Sequence, residues 1–194
     1  MIITVAGFKG GVAKTTTAVH LACYFQTLAP TLLVDGDPNR SATKWAERGG
    51  FPFKVVDERA AVKFARDAEH TIIDTKARPE PEDLAALAQG CDLLVVPTTP
   101  DALALDALTE TIGALQTLGA DTYRILLTVV PPKPSKDEEE ARAALQGLPI
   151  FKGHVRRFVA FQKAALLGVP VYDAKDARAS LGWKDYRNIG KEIL

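Results

Sequence analysis

Residues 3–22 read ITVAGFKGGVAKTTTAVHLA. The segment opens with a short apolar run, passes through a glycine-containing stretch at residues 7–16 and continues with apolar residues at helical spacing. Phosphate groups bind where several backbone N–H groups converge at a helix N-terminus, and glycine lets the backbone approach them closely. We therefore interpret residues 7–16 as a phosphate-binding loop between a strand and a helix.

The loop contains the residue types that this chemistry needs. Gly10 and Gly11 provide open backbone, Lys14 provides a cation for the terminal phosphates, and Thr15 provides a hydroxyl for a magnesium ion. The strict pattern G-x-x-x-x-G-K-[ST] is broken at two positions, one of them Ala13. The strand before the loop and the amphipathic helix after it support the interpretation, and an incidental Gly-Gly turn is the alternative.

The rest of the chain alternates short apolar runs with longer segments of helical period, which is typical of strands buried on both faces of a parallel sheet. The pattern predicts one α/β domain over residues 1–194, with a doubly wound, mostly parallel sheet and helices on both faces. The predicted strands are residues 2–6, 31–34, 71–73, 93–96 and 125–130. The predicted helices carry apolar stripes at residues 18–28 and 105–115, and Ser135 with Glu138 predicts a capping box that opens a further helix up to about Gly147.

Composition narrows the class of protein. The formal net charge is zero, yet residues 151–194 hold nine Lys/Arg against four Asp/Glu. This asymmetry indicates either a polyanionic partner or solvated helix faces.

Cys23 and Cys91 lie in separate apolar stretches, which favours buried thiols in a reducing compartment. Because no apolar run is long enough to span a membrane and no signal peptide is evident, we expect a cytoplasmic protein.

Three carboxylates follow predicted strands. Asp35 and Asp37 come at the end of the second strand, and Asp74 at the end of the third. Carboxyl ends of adjacent parallel strands face one crevice, so these side chains are expected beside the phosphate loop. Phosphoryl transfer needs positioning and charge neutralisation, to which such carboxylates contribute. The alternatives are an Asp-Pro turn residue for Asp37 and a helix N-cap for Asp74.

Basic residues near the C-terminus form a second candidate site. Arg156 and Arg157 precede a predicted helix, and Lys184, Arg187 and Lys191 are spaced by three and four residues on the last one. Such a stripe can follow phosphates without reading base sequence, which gives salt-sensitive, nonspecific DNA binding. An ordinary solvated helix face is the alternative.

The arrangement K-G-G-x-x-K-T-T, which starts at Lys9, resembles the deviant Walker A box of the ParA/MinD ATPases. The ParA/Soj branch is similar in further segments: LLVDGDPNRSA, HTIIDT, DLLVVPTTPDALALDAL and VRRFVAFQKAALLGVPVYD. These segments occur in the family's order over nearly the whole chain. The length is similar to that of the small members that lack an N-terminal DNA-binding domain.

The resemblance implies a role for each matching residue. Lys9 would reach across a dimer to the partner's nucleotide, Asp35 would bind the metal through water, and Asp37 would position the attacking water. The implied catalytic residues are Lys9, Lys14 and Asp37, and the implied metal ligands are Thr15, Asp35 and the Walker B residue Asp74. The implied nucleotide-binding residues are Lys9, Gly10, Gly11, Val12, Ala13, Lys14, Thr15 and Thr16.

The resemblance also implies a function. It predicts a Mg²⁺-dependent ATPase that forms a homodimer with ATP, binds nucleoid DNA nonspecifically and positions a plasmid, chromosome or protein cargo. A ParB-like or other adaptor protein would stimulate hydrolysis. A MinD-like membrane-cycling ATPase is an alternative, but the ending GKEIL lacks an amphipathic, strongly basic tail. A metabolic enzyme of the dethiobiotin synthetase type is another, although it has no need for Lys9. A nucleotide-sensing scaffold without hydrolysis stays open.

One departure from the family concerns the loop itself. Ala13 stands where the family has a glycine. If that position requires a positive φ, the alanine costs about 1 kcal/mol.

Overall fold

A computed structural model of the chain describes residues 1–7, 9–77, 81–120 and 122–194. Six strands form one sheet in the order β3-β2-β4-β1-β5-β6, and all neighbouring strands are parallel. The strands are β1 Ile2–Gly7, β2 Thr31–Gly36, β3 Lys54–Asp57, β4 His70–Ala77, β5 Leu93–Thr98 and β6 Tyr123–Leu127. The helices are α1 Lys14–Gln26, α2 Ser41–Arg48, α3 Glu58–Ala65, α4 Pro81–Gln89, α5 Ala102–Thr117, α6 Asp137–Ala144, α7 Val159–Leu167 and α8 Ala179–Ile193, with a short 3-10 helix at Val171–Asp173.

Each face of the sheet carries its own apolar core, because successive strand residues point to opposite faces. On β5, Val95 belongs to the core formed with α1, α2, α7 and α8, whereas Leu94 and Val96 belong to the core formed with α4, α5 and α6. The prediction of a doubly wound α/β sheet is therefore confirmed. No helix within the described residues is long and apolar enough to cross a membrane.

The predicted strand at residues 125–130 is too long at its C-terminal end. The strand β6 stops at Leu127, and Val129 has a φ of 53° in the left-handed region, which cannot continue a strand. The structure also contains β3, which sequence periodicity did not predict. This edge strand spans four residues, KVVD, of which only two are apolar.

The predicted capping box at Ser135 is wrong. The helix α6 begins at Asp137 with Lys136 as its N-cap, and the Ser135 hydroxyl only accepts a hydrogen bond from the Asp137 N–H at 3.2 Å. Glu138 instead binds Arg142 and His154, each at 2.8 Å.

The prediction that both cysteines are buried is correct for one of them. Cys23 is buried, Cys91 is partly exposed, and both thiols are free.

The outer edge of β6 is covered by the segment 149–157. The N–H of Phe151 donates to the Ile125 carbonyl at 2.9 Å, and the N–H of Arg157 donates to the Val130 carbonyl at 2.8 Å. This pairing carries Arg156 and Arg157 to the carboxyl edge of the sheet, where Val130 lies.

Candidate nucleotide site

The phosphate loop connects the end of β1 at Gly7 to the start of α1 at Lys14. Two of its residues, Gly11 and Ala13, have φ angles of 80° and 61°. Ala13 is the left-handed N-cap of α1 and is a position that glycine would occupy without strain. Ala13 thus has the positive φ on which the expected cost depends, so this alanine strains the loop by about 1 kcal/mol.

Lys14 is folded back over this loop and is 8% exposed. Its ammonium group donates a hydrogen bond to the Lys9 carbonyl at 2.9 Å. Burial lowers the pKa of Lys14, while Asp74 and Asp37 act in the opposite direction by stabilising the charged form. The result is a desolvated cation at the N-terminus of a helix, which is the environment that favours an anionic ligand.

Asp74 is fully buried within β4, and neither of its carboxylate oxygens has a hydrogen-bond partner among the described residues. Burial raises its pKa to about 7, with the carboxylates of Asp35 and Asp37 adding to the rise and the Thr15 hydroxyl and Lys14 opposing it. The Thr15 hydroxyl lies close enough to lower this pKa, but no hydrogen bond of normal length and angle reaches Asp74 among the described residues. A carboxylate buried in this state is costly, so a cation at this position would stabilise its charged form. Because Asp74 lies inside a strand, the N-cap alternative is wrong.

Asp35 pairs in register with Asp74 on the neighbouring strand. Its carboxylate accepts hydrogen bonds from the Asp37 N–H at 3.2 Å and from the N–H and hydroxyl of Thr43 at 2.8 and 2.7 Å. These bonds tie the strand end to the first turn of α2. Asp35 is thus held rigidly beside Asp74, with most of its hydrogen-bonding capacity directed at the protein.

Asp37 lies two residues further along, at the mouth of the crevice. Its Oδ1 accepts hydrogen bonds from the N–H and side-chain amide of Asn39 at 2.9 and 3.0 Å, so the turn role considered from sequence is present. In the described part of the chain, Oδ2 accepts no hydrogen bond. One oxygen therefore fixes the carboxylate, and the other is left for a ligand or water.

The donor set fits a magnesium ion that is shared with a nucleotide. Within the described ranges, no three His, Cys, Asp or Glu side chains are arranged to hold a metal by themselves. Magnesium in nucleotide sites uses one or two carboxylates together with phosphate oxygens and water. The unpartnered Asp74 carboxylate and the nearby Thr15 hydroxyl match that requirement.

Lys9 has a different environment from Lys14. Its side chain is 32% exposed, and its ammonium group lies 3.0 Å from Oδ1 of Asp101. Asp101 is the N-cap of α5 and accepts a hydrogen bond from the Ala104 N–H at 3.1 Å. A surface ion pair of this kind is weak, so Lys9 can exchange Asp101 for another anion at little cost.

The five predicted DNA-binding residues fall into two groups. Arg157, Lys184, Arg187 and Lys191 are exposed. The Arg156 guanidinium instead binds the buried Asp185 carboxylate at 3.0 and 2.7 Å and lies over the Phe158 ring. It anchors α8 to the segment before α7, which reduces its capacity for an external phosphate. A cavity of about 580 Å³ is lined by Val130, Arg156, Arg157, Arg178 and Lys184 among others.

Three residues that hold the site residues in place by hydrogen bonds were not predicted from the sequence. Asn39 donates to the Asp37 carboxylate, Thr43 donates to the Asp35 carboxylate, and the Thr128 hydroxyl contacts the Val12 carbonyl of the phosphate loop. Asp37-Pro38-Asn39 is a recognisable turn signal, so Asn39 could have been found. Thr43 and Thr128 are single threonines whose partners are distant in sequence, and one sequence contains no signal for such contacts.

The comparisons with known proteins agree with this geometry. Residues 3–171 match the family described as CobQ/CobB/MinD/ParA nucleotide binding domain. The chain is 34% identical over 201 residues to "Maintenance of carboxysome distribution protein A" of Gloeobacter kilaueensis, covering 99% of this chain and 93% of that protein. It is 33% identical over 154 residues to "Chromosome-partitioning ATPase Soj" of Thermus thermophilus, covering 76% of this chain and 53% of that protein.

A solved plasmid partition protein of Borrelia burgdorferi, bound to AMPPNP, superposes with a TM-score of 0.77 at 17% identity, covering 100% of this chain and 98% of that chain. This likeness shows the fold. Together with the family match over residues 3–171, the phosphate loop and the carboxylates beside it establish that the chain belongs to the CobQ/CobB/MinD/ParA family of nucleotide-binding domains, with the ParA/Soj type of sequence.

Proposed function

We propose that the chain is an ATPase that dimerises with ATP and Mg²⁺, binds DNA nonspecifically as a dimer and uses hydrolysis to position a cargo. The observation that carries this proposal is the pair of buried, opposite charges beside the phosphate loop, Lys14 and Asp74. Neither is satisfied by the protein alone, since Lys14 has one carbonyl partner and Asp74 has none among the described residues.

A nucleoside triphosphate and a divalent cation satisfy both groups together. Lys14 and the backbone N–H groups at the start of α1 would bind the terminal phosphates. Thr15 and Asp74, with Asp35 through water, would hold Mg²⁺, which neutralises charge on the phosphates when it is bound. Asp37 is at the mouth of the crevice with one free carboxylate oxygen, where it would orient water for attack. The AMPPNP-bound structural relative supports ATP as the nucleotide.

The proposed dimer depends on Lys9. Lys9 is partly exposed, and within the described residues its ammonium group binds the surface residue Asp101, so it can turn towards the nucleotide of a second copy. The resemblance to the deviant Walker A box supports this trans role. A metabolic enzyme that works as a single subunit would not need a lysine at this position.

For the cargo, the relative named for carboxysome distribution favours a protein assembly over a plasmid or a chromosome, because its match covers nearly all of both chains. An adaptor protein that stimulates hydrolysis would link the cargo to the dimer. Arg157, Lys184, Arg187 and Lys191 are exposed and would provide nonspecific phosphate contacts, and dimerisation doubles their number on one duplex.

Gel shifts at several salt concentrations test the DNA proposal. Lys184→Glu with Arg187→Glu should weaken ATP-dependent binding about equally for unrelated DNA sequences and flatten the salt dependence, because about two phosphate contacts per subunit are lost. The matched control is Lys44→Glu with Lys63→Glu, which reverses two exposed lysines on α2 and α3. If both double variants keep the wild-type affinity and salt slope, α8 is an ordinary solvated face.

A further inference from the structure

Thr128 follows the last residue of β6 and joins three parts of the site. Its hydroxyl lies 3.1 Å from the carbonyl of Val12 in the phosphate loop and 3.1 Å from the carbonyl of Thr98 at the end of β5. Its N–H donates to the same Thr98 carbonyl at 2.8 Å. The residue is fully buried, so water does not compete for these bonds.

The next residue is strained. Val129 has a φ of 53°, which is a genuine outlier for a β-branched residue. Such strain persists only where the flanking structure fixes the backbone. Here Thr128 fixes one side, and Val130 fixes the other by donating to the Val155 carbonyl at 3.0 Å. The backbone is thus held in an unfavourable conformation that keeps the Thr128 side chain against the loop.

We propose that Thr128 is a positioning residue for the phosphate loop, and that its hydroxyl sets the affinity for the nucleotide without touching it. The reason lies in the planar peptide between Val12 and Ala13. In a trans peptide the C=O and the N–H point in opposite directions. A hydroxyl that holds the Val12 carbonyl towards β6 therefore turns the Ala13 N–H away from β6, towards the open side of the loop.

Without this hydroxyl, the buried Val12 carbonyl loses its side-chain donor, and the left-handed turn at Ala13 loses the contact that opposes its strain. The loop would then occupy the binding geometry in only a fraction of molecules, and the apparent affinity falls by that fraction. This inference rests on the proposed nucleotide binding at the loop.

Calorimetric titration with Mg-ATP and with ADP tests the proposal through three variants. Thr128→Val keeps the shape of the side chain but removes the hydroxyl, and we expect about tenfold weaker nucleotide binding, as the loss of one buried hydrogen bond implies. Thr128→Ser restores the hydroxyl and should bind within about threefold of the wild type. Thr111→Val is the control, because Thr111 is also buried and, in the part of the chain that the structure describes, its hydroxyl bonds the Ala107 carbonyl within α5 rather than the phosphate loop.

The outcomes distinguish a failure of the proposed function from a failure of the positioning role of Thr128. If the wild type binds no nucleotide, the proposed function itself fails. If the wild type binds and Thr128→Val binds equally well, or if Thr111→Val and Thr128→Val weaken binding to the same extent, the positioning role is refuted. Far-ultraviolet circular dichroism checks that Thr128→Val is folded, and Thr128→Ala replaces it in the same comparison if it is not.

Discussion

At the scale of single residues, the site is defined by groups that the protein leaves unsatisfied. Asp74 has no partner among the described residues, and Asp37 has one carboxylate oxygen fixed by Asn39 and the other free. Asp35 differs, because Thr43 and the Asp37 N–H occupy both of its oxygens. The three carboxylates therefore have different environments, and we expect their substitution to have separate effects.

Asp37→Ala should trap an ATP-bound dimer. The contacts of Lys14 and Thr15 with the nucleotide would remain, whereas the group that orients water is lost, so turnover should fall by about two orders of magnitude or more. Asp35→Ala is the comparison and should also weaken the packing of α2, because Thr43 loses its acceptor. Measuring ATP turnover and the dimer fraction of both variants distinguishes the proposed roles of Asp37 and Asp35. Normal turnover, or loss of ATP binding, in Asp37→Ala would show that the roles are misassigned.

Ala13→Gly should stabilise the protein slightly, by about 0.5–1 kcal/mol, because glycine adopts the φ of 61° without strain. Ala143→Gly, at an exposed position in the last turn of α6, should destabilise by up to about 1 kcal/mol, because alanine is not strained at a helical φ and glycine loses more backbone entropy there. Urea unfolding of both variants and the wild type measures the two changes in the free energy of unfolding, which should have opposite signs. Destabilisation by Ala13→Gly as large as that of Ala143→Gly would mean that the loop stores no strain.

At the scale of secondary structure, α1 packs against α8. The helix α1 follows the phosphate loop, and α8 carries the exposed basic residues Lys184, Arg187 and Lys191. The two helices approach so closely that a Cβ on Gly190 would lie 2.2 Å from the Tyr24 ring. The Tyr186 hydroxyl lies 3.1 Å from the Thr17 hydroxyl, next to the loop. Between them His20 stacks on Tyr186, accepts a hydrogen bond from the Val171 N–H at 3.0 Å and bonds the Thr16 carbonyl at 2.7 Å.

His20 should make stability depend on pH. Complete burial lowers its pKa from the ordinary 6.5 to about 4, so the folded protein keeps the ring neutral. Between these values the unfolded chain binds more protons, and the free energy of unfolding should decrease as pH falls from about 6.5 to about 4, by up to about 3 kcal/mol. Urea unfolding of wild type and His20→Gln at several pH values isolates this contribution. His20→Gln is expected to be less stable at neutral pH, and its free energy of unfolding should change less steeply with pH. Identical slopes for the two proteins would show that His20 does not cause the pH dependence.

The elements differ in how far sequence predicts them. The apolar stripes of α1 and α5 and five of the six strands follow from periodicity, because they are buried in a regular sheet. The strand β3 and the end of β6 do not, since β3 is a short edge strand and β6 stops at Leu127, two residues before the strained Val129. The capping box predicted at the start of α6 does not form, because the Glu138 carboxylate binds the Arg142 guanidinium instead of a backbone N–H at the helix N-terminus.

At the scale of the whole molecule, parallel strands bring residues from distant parts of the chain to one edge of the sheet. The phosphate loop and the three carboxylates could be predicted because the alternating pattern indicates a parallel sheet, whose strands present their carboxyl ends at one edge. The Arg156–Asp185 pair and the support by Thr128 could not, because they depend on tertiary packing. Arg156 is accordingly a weaker candidate for DNA than Arg157 and the exposed residues of α8.

The proposed ATP-dependent dimer is a property of the whole molecule, and the proposed positioning of a cargo depends on it. Lys9→Ala should leave each subunit able to bind ATP, because Lys14 and the backbone of the loop are unchanged. It should abolish the ATP-dependent dimer, because no second cation reaches the partner's nucleotide. Asp101→Ala is a control that removes the cis partner of Lys9 and should leave dimerisation intact or strengthen it.

Multi-angle light scattering of wild type and Lys9→Ala, with and without Mg-ATP, measures this directly. We predict that ATP converts the wild type from about 21 kDa to twice that mass and leaves Lys9→Ala at the mass of a monomer. A Lys9→Ala protein that dimerises with ATP as the wild type does, or a wild type whose mass ATP does not change, would contradict the proposed function.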